Sequence, residues 1–265
     1  MHTAALKEKG LPFLYGVIDV TSEYLPSLFT ALRGDGFRGV NVTVPHKESV
    51  MRFLDDVSAE AKAVGAVNTV VNEHGTLTGH NTDIAGIKES LLPFGEAIGK
   101  GNVLILGAGG ASRAVGYTVA KHFSPKTVTI HNRTQSRANS LVQMFSKDFP
   151  DTRWSSSIDY PSLTRSLEKS ALVINATSVG MYPDSEANPV PAGVKFSNDQ
   201  IIFDIVYNPI ETVLLRQARM AGARTVNGIE MFLHQGAEAF ELWTQEKFPL
   251  ETARSVVIKE LAGMR

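Results

Sequence analysis

Short apolar runs separated by polar turns recur along this chain. Residues 13–18 and 39–44 are strand-sized, and Pro45 closes the second because a strand interior rejects proline. Between them Leu25, Leu28, Phe29 and Leu32 recur at three and four residues, the spacing of one helix face. The pattern predicts strand, helix, strand. A helix over 58–64 leads into strands over 68–71 and 76–79, joined by a polar turn at 72–75, and a helix over 84–92 stops before Pro93.

A second unit starts near Gly101. An apolar strand over 103–106 runs into a glycine turn at 107–110 and a small-residue helix over 111–120 suited to close packing on a sheet. Further apolar runs at 128–130, 172–175 and 201–205 alternate with helical patterns at 135–145 and 212–221. This spacing predicts a doubly wound sheet of α/β class. Two last helices, 230–243 and 250–261, need a partner surface that the second unit need not supply. There is no internal repeat and no low-complexity tract.

Composition narrows the function. The 265 residues carry 26 Lys and Arg against 27 Asp and Glu, so nothing advertises a nucleic-acid surface. No apolar stretch reaches the roughly 20 residues that cross a bilayer, and residues 1–9 lack the pattern of a secretory signal, so the expectation is a cytoplasmic protein with no membrane partner. Cysteine is absent, which removes disulfides, thiolate metal sites and a cysteine nucleophile.

The glycine turn reads Gly107-Ala108-Gly109-Gly110-Ala111 between a strand and a helix. Its first glycine suits a tight turn, and the next ones let a pyrophosphate approach backbone amides and the positive helix end. A purely structural turn is the plainer alternative; the strand–helix setting favours a dinucleotide. About 20 residues on, where an NAD site presents a carboxylate to the ribose, this chain has Asn132-Arg133-Thr134 with Arg137 nearby. A guanidinium matches a 2′-phosphate, so NADP is the expected cofactor. Otherwise Arg133 and Arg137 simply solvate a helix start.

Two further strings carry candidate chemistry. Asn41-Val-Thr43-Val-Pro45-His-Lys47 delivers a lysine at a strand end, and Gly79-His-Asn-Thr-Asp83 places an acid before a helix. Asp83 or Thr82 could merely cap that helix, and Lys47 could lie on the surface. Paired, Asp83 would orient an ammonium that protonates a carbonyl oxygen as hydride arrives from a nicotinamide, with no metal needed. A zinc site at His46 and His80 is disfavoured without cysteine or a close-spaced histidine pair.

Together with Gly65-Ala-Val-Asn68-Thr, Asn175-Ala-Thr-Ser178-Val-Gly180-Met181, Asp204-Ile-Val-Tyr207-Asn-Pro209 and Asn227-Gly228 through Met231 to Gln235, these strings resemble the shikimate dehydrogenase family, in family order over nearly the whole chain. The resemblance implies reversible NADPH-dependent reduction of 3-dehydroshikimate to shikimate, on the route to chorismate and aromatic amino acids. It implies a catalytic pair Lys47 and Asp83, and substrate contacts from Thr43, Asn68, Tyr207 and Gln235. Thr177, Ser178, Gly180 and Met181 would form a cofactor-side loop, with Gly228 also on the cofactor side and Met231 bordering the nicotinamide. It implies a substrate domain over 1–84 with a mainly parallel sheet, an NADP domain over 85–228, and helices over 229–265 returning to the first domain, with the active site in the cleft between domains. A homodimer is the expected assembly. Quinate/shikimate dehydrogenases and non-catalytic binding relatives are the rival readings; retention of Lys47 and Asp83 counts against the second.

One family feature is missing from the sequence. Members open with a strand and a Ser-x-Ser-Pro motif whose hydroxyls hold the substrate carboxylate, whereas this sequence opens Met1-His-Thr-Ala-Ala-Leu6. Either the start is misplaced and an ordinary member results, or the loss of two hydroxyl contacts, about 1.5–3 kcal/mol each, weakens substrate binding.

Overall fold

The structure, a computed structural model, describes residues 1–263, and the chain divides into two units: Met1–Gly86 with the stretch from Leu233 on, and Ile87–Phe232. The first unit holds α1 (His2–Glu8), α2 (Leu25–Ala31), β1 (Gly39–Asn41), β2 (Asp56–Val57), α3 (Ala59–Val64), β3 (Thr69–Glu73) and β4 (Thr76–His80), after which α4 (Asp83–Leu91) leads into the second. Its sheet has the order β1-β3-β4-β2.

This sheet is mixed where a mainly parallel one was expected: β3 is antiparallel to both β1 and β4, and only β2 runs parallel to β4. The reason is local. His74 and Gly75 take φ of 53° and 89°, the two positive values of a tight hairpin turn, and a hairpin joins its strands antiparallel. The strand expected over 13–18 does not form, and β1 is shorter than the 39–44 run predicted for it. Residues 13–18 have strand composition but pair with no ladder, and Leu14 and Val17 are fully exposed. Composition alone cannot supply the neighbouring strand that a ladder needs.

Leu25, Phe29 and Leu32 around α2 bury against Val50, Ala61, Val67, Val70 and Leu77, so the apolar face read from the spacing is the face that packs. Ser58 caps α3 by accepting from the Ala61 amide at 3.2 Å, and Gly65 closes it in the left-handed region.

The second unit continues through α5 (Gly95–Lys100), β5 (Asn102–Leu106), α6 (Gly110–Phe123), β6 (Thr127–His131), α7 (Gln135–Asp148), β7 (Arg153–Ser157), α8 (Tyr160–Lys169), β8 (Leu172–Asn175), β9 (Ile201–Asp204), α9 (Val213–Met220) and β10 (Arg224–Val226). Six strands lie in the order β10-β9-β8-β5-β6-β7, all parallel, which is the doubly wound sheet expected. The winding reverses between β5 and β8. Ligands of such sheets bind beyond the carboxyl ends of the strands at that reversal, and the glycine turn leaves β5 there. The chain then passes through α10 (Ile229–Thr244) to α11 (Leu250–Gly263), which contacts α1 in the first unit. Among the described residues no helix is long and apolar enough to cross a membrane.

Candidate active site

In the first unit Lys47 and Asp83 come together. Lys47 lies in the loop after Pro45 and donates from Nζ to Asp83 Oδ2 at 2.6 Å, with the two side chains only 14% and 6% exposed. Thirty-six residues apart in sequence, they meet because β3 and β4 bring the start of α4 beside the end of β1. The Val67 amide donates to the Lys47 carbonyl at 2.8 Å and holds that loop against the sheet.

Asp83 is held from its other side. Asn68 Nδ2 donates to Asp83 Oδ1 at 2.8 Å, and Asn68 Oδ1 accepts from the Thr82 amide at 2.7 Å. The chain of polar contacts continues through Thr69 and Asn41 to the Tyr15 hydroxyl, which donates to Asn41 Oδ1 at 2.9 Å. A carboxylate so fixed orients one ammonium proton toward it and leaves the others for a substrate oxygen. Asn41 and Thr69 were not singled out from sequence, and Thr82 was read only as a helix cap; their signal lay in their place beside Asn68 and Asp83 in the quoted strings. Thr43 is exposed on the same loop as Lys47, and Gln235 lies half-buried on α10.

In the second unit the glycine turn leaves β5 as expected. Gly107 takes φ +105°, and a Cβ there would come within 2.9 Å of Thr177 Cγ2, so only glycine lets this turn lie against the 177–180 loop. Over Gly109, immediately before α6, the space a side chain would fill is open. Such a cradle of bare backbone at a helix start fits a pyrophosphate. The Asn132-Arg133-Thr134 turn follows β6, the neighbouring strand, with Asn132 Nδ2 donating to the Thr134 carbonyl at 2.9 Å. Arg133 and Arg137 are exposed and form no ion pair among the described residues, which leaves both guanidiniums available to a phosphate.

The remaining candidates gather at the ends of β8 and β9. Thr177 and Ser178 follow β8; Tyr207 follows β9 and its ring stacks on Phe232 at 4.4 Å between centroids. Burial raises the Tyr207 hydroxyl above the usual phenol range, so it stays a neutral hydrogen-bonding group at neutral pH. Met231 is buried on α10, and the Gly228 amide before it donates to the Val206 carbonyl at 3.1 Å. His46 and His80 do not join a metal cluster: among the described residues no three His, Cys, Asp or Glu side chains gather as ligands would.

Three family models match the chain: the shikimate dehydrogenase substrate binding domain over residues 1–70, shikimate / quinate 5-dehydrogenase over 93–213, and the shikimate 5′-dehydrogenase C-terminal domain over 228–258. The shikimate dehydrogenase (NADP(+)) of Methanococcus maripaludis is 37% identical over 261 residues, 98% of this chain and 92% of that one. That of Chlorobium phaeovibrioides is 41% identical over 271 residues, 99% of this chain and 91% of its own. Among solved structures, the Thermus thermophilus shikimate 5-dehydrogenase in complex with NADP(H) and shikimate superposes with a TM-score of 0.84 at 36% identity, covering 97% of this chain and 92% of that one.

Proposed function

The chain belongs to the shikimate dehydrogenase family, and from that premise we infer that it catalyses the reversible, NADPH-dependent reduction of 3-dehydroshikimate to shikimate, on the route to chorismate and aromatic amino acids. The observation that carries the chemistry is the Lys47–Asp83 pair, an ammonium and a carboxylate 2.6 Å apart and largely shielded from water.

NADPH supplies a hydride to the carbonyl carbon. Lys47 donates a proton from Nζ to the oxygen as the C–O bond becomes an alcohol, and takes it back when shikimate is oxidised. Asp83 holds the ammonium in line and accepts a hydrogen bond from a substrate hydroxyl. Asn68 fixes Asp83 and, with Thr43, Tyr207 and Gln235, binds substrate oxygens. Gly107, Ala108, Gly109, Gly110 and Ala111 hold the pyrophosphate. Asn132, Arg133, Thr134 and Arg137 hold the adenosine ribose and its 2′-phosphate, and Thr177, Ser178, Gly228 and Met231 line the nicotinamide side. No carboxylate lies in the Asn132–Arg137 turn to favour the bare ribose of NAD. The working compartment is the cytoplasm.

Lys47→Ala tests the proton donor. Turnover should fall by roughly 10²–10⁴ while NADPH affinity changes little; wild-type turnover in the variant would remove Lys47 from the reaction.

A further inference from the structure

Asp204 is a buried carboxylate that the proposed chemistry leaves unused. It ends β9, is wholly inaccessible to solvent, and accepts three hydrogen bonds. Asn175 Nδ2 donates to Oδ1 at 2.9 Å, the Val206 amide donates to Oδ1 at 3.1 Å, and the Thr212 hydroxyl donates to Oδ2 at 2.7 Å. The donors come from the end of β8 and from the two ends of the connection between β9 and α9.

Asn175 ends β8 and organises the loop after it. Its Oδ1 accepts from both the amide and the hydroxyl of Thr177, at 3.1 and 2.6 Å, and its Nδ2 also reaches the Val179 carbonyl at 3.1 Å. Asn175 Nδ2 therefore divides its two protons between Asp204 and the loop, which sets the amide's orientation and so the position of Thr177. Val206 leads directly to Tyr207, and its carbonyl accepts from Gly228. Thr212 caps α9 through the Leu215 amide. Three donors aimed at one carboxylate complement its ionised form.

We propose that ionised Asp204 is a positioning residue, holding the 177–180 loop through Asn175 and the Tyr207 turn through Val206 in the arrangement that receives NADP and substrate. This rests on the dinucleotide reading above. Burial pushes the Asp204 carboxyl up to about 6 against the pull of its three donors. The groups facing it, from β8, the turn after β9 and the start of α9, are Asn175, the Val206 amide and Thr212, and none of them ionises. Asp204 therefore loses its charge as pH falls through about 6.

The experiment is calorimetric titration of NADP into the full chain and into Asp204→Asn and Asn175→Ala, from pH 8 to pH 5, with shikimate KM and kcat measured alongside and circular dichroism as the check on folding. At pH 8 Asp204→Asn should bind NADP about tenfold more weakly than wild type and raise the shikimate KM more than it lowers kcat. The ratio of the two NADP Kd values should shrink toward one by pH 5, where the wild-type carboxyl is neutral like the amide; titration of the 2′-phosphate cancels in that ratio. A merely structural role would leave the ratio constant with pH, and that result overturns the proposal. If Asp204→Asn does not fold, Asn175→Ala decides by its own NADP Kd: a rise of about tenfold supports the proposal and an unchanged value overturns it. Wild type that binds NADP as tightly as a folded Asp204→Asn defeats the role of Asp204 alone, whereas wild type that binds no NADP defeats the dinucleotide reading with it.

Discussion

In the proposed function Arg133 carries cofactor choice on one side chain. Its guanidinium is exposed, has no internal acid to pair with among the described residues, and follows the strand beside the glycine turn. Arg133→Ala should weaken NADP binding by about 2 kcal/mol, roughly thirtyfold, and leave NAD nearly untouched. Equal losses for the two cofactors, measured by titration, would take the 2′-phosphate away from this residue. His2 makes a different residue-scale prediction. Its ring lies among Tyr15, Phe240, Trp243 and Phe248, and burial lowers its pKa from 6.5 to about 4. The unfolded chain takes up the proton first, so this group's contribution is present above pH 6.5 and is lost as pH falls toward 4. Asp204, with its pKa raised, works in the opposite sense over much of the same range. The difference between wild type and His2→Phe isolates the histidine: in chemical melts the stability gap should shift in favour of the phenylalanine by about 3 kcal/mol between pH 7 and pH 4. A gap that does not change with pH would contradict the burial argument.

At the scale of elements, legibility followed periodicity and burial. β5, β8 and β9 are apolar runs almost wholly buried, and α2, α6 and α9 carry apolar faces at helical spacing, so their positions were readable. β7 was not: Arg153-Trp-Ser-Ser-Ser has one large apolar residue, because an edge strand needs little more than Trp154 facing inward. α8 was overlooked although its Asp159 cap and the buried Leu163 and Leu167, four apart, spell a helix start and face. Residues 13–18 erred the other way, since apolar composition carries no information about a pairing partner. The site divides similarly. Lys47, Asp83 and the glycine turn were legible as local strings, while the hydrogen bonds linking Asn68, Thr82 and Asp83, or Asp204 and Asn175, arise only when separate strand ends are brought side by side. Packing between α7 and β7 gives the element-scale test. Phe145 is fully buried, stacks on Trp154 at 4.8 Å between centroids and lies against Gly116 of α6. Phe145→Ala should cost about 3–5 kcal/mol in a denaturant melt; a loss below about 1 kcal/mol would mean that this contact does not hold α7 on the sheet.

For the molecule as a whole, the first unit holds an ammonium–carboxylate pair and the second a glycine turn with exposed guanidiniums, the two features on which the proposed reaction draws. Neither part alone reduces a carbonyl by hydride transfer. The most direct test is a spectrophotometric assay of the 265-residue chain with shikimate and NADP, with quinate and NAD run in parallel. The account predicts reduced cofactor with shikimate and NADP, and much slower reduction when either is replaced. Folded protein that binds NADP yet reduces none with shikimate, or that prefers quinate with NAD, would contradict it.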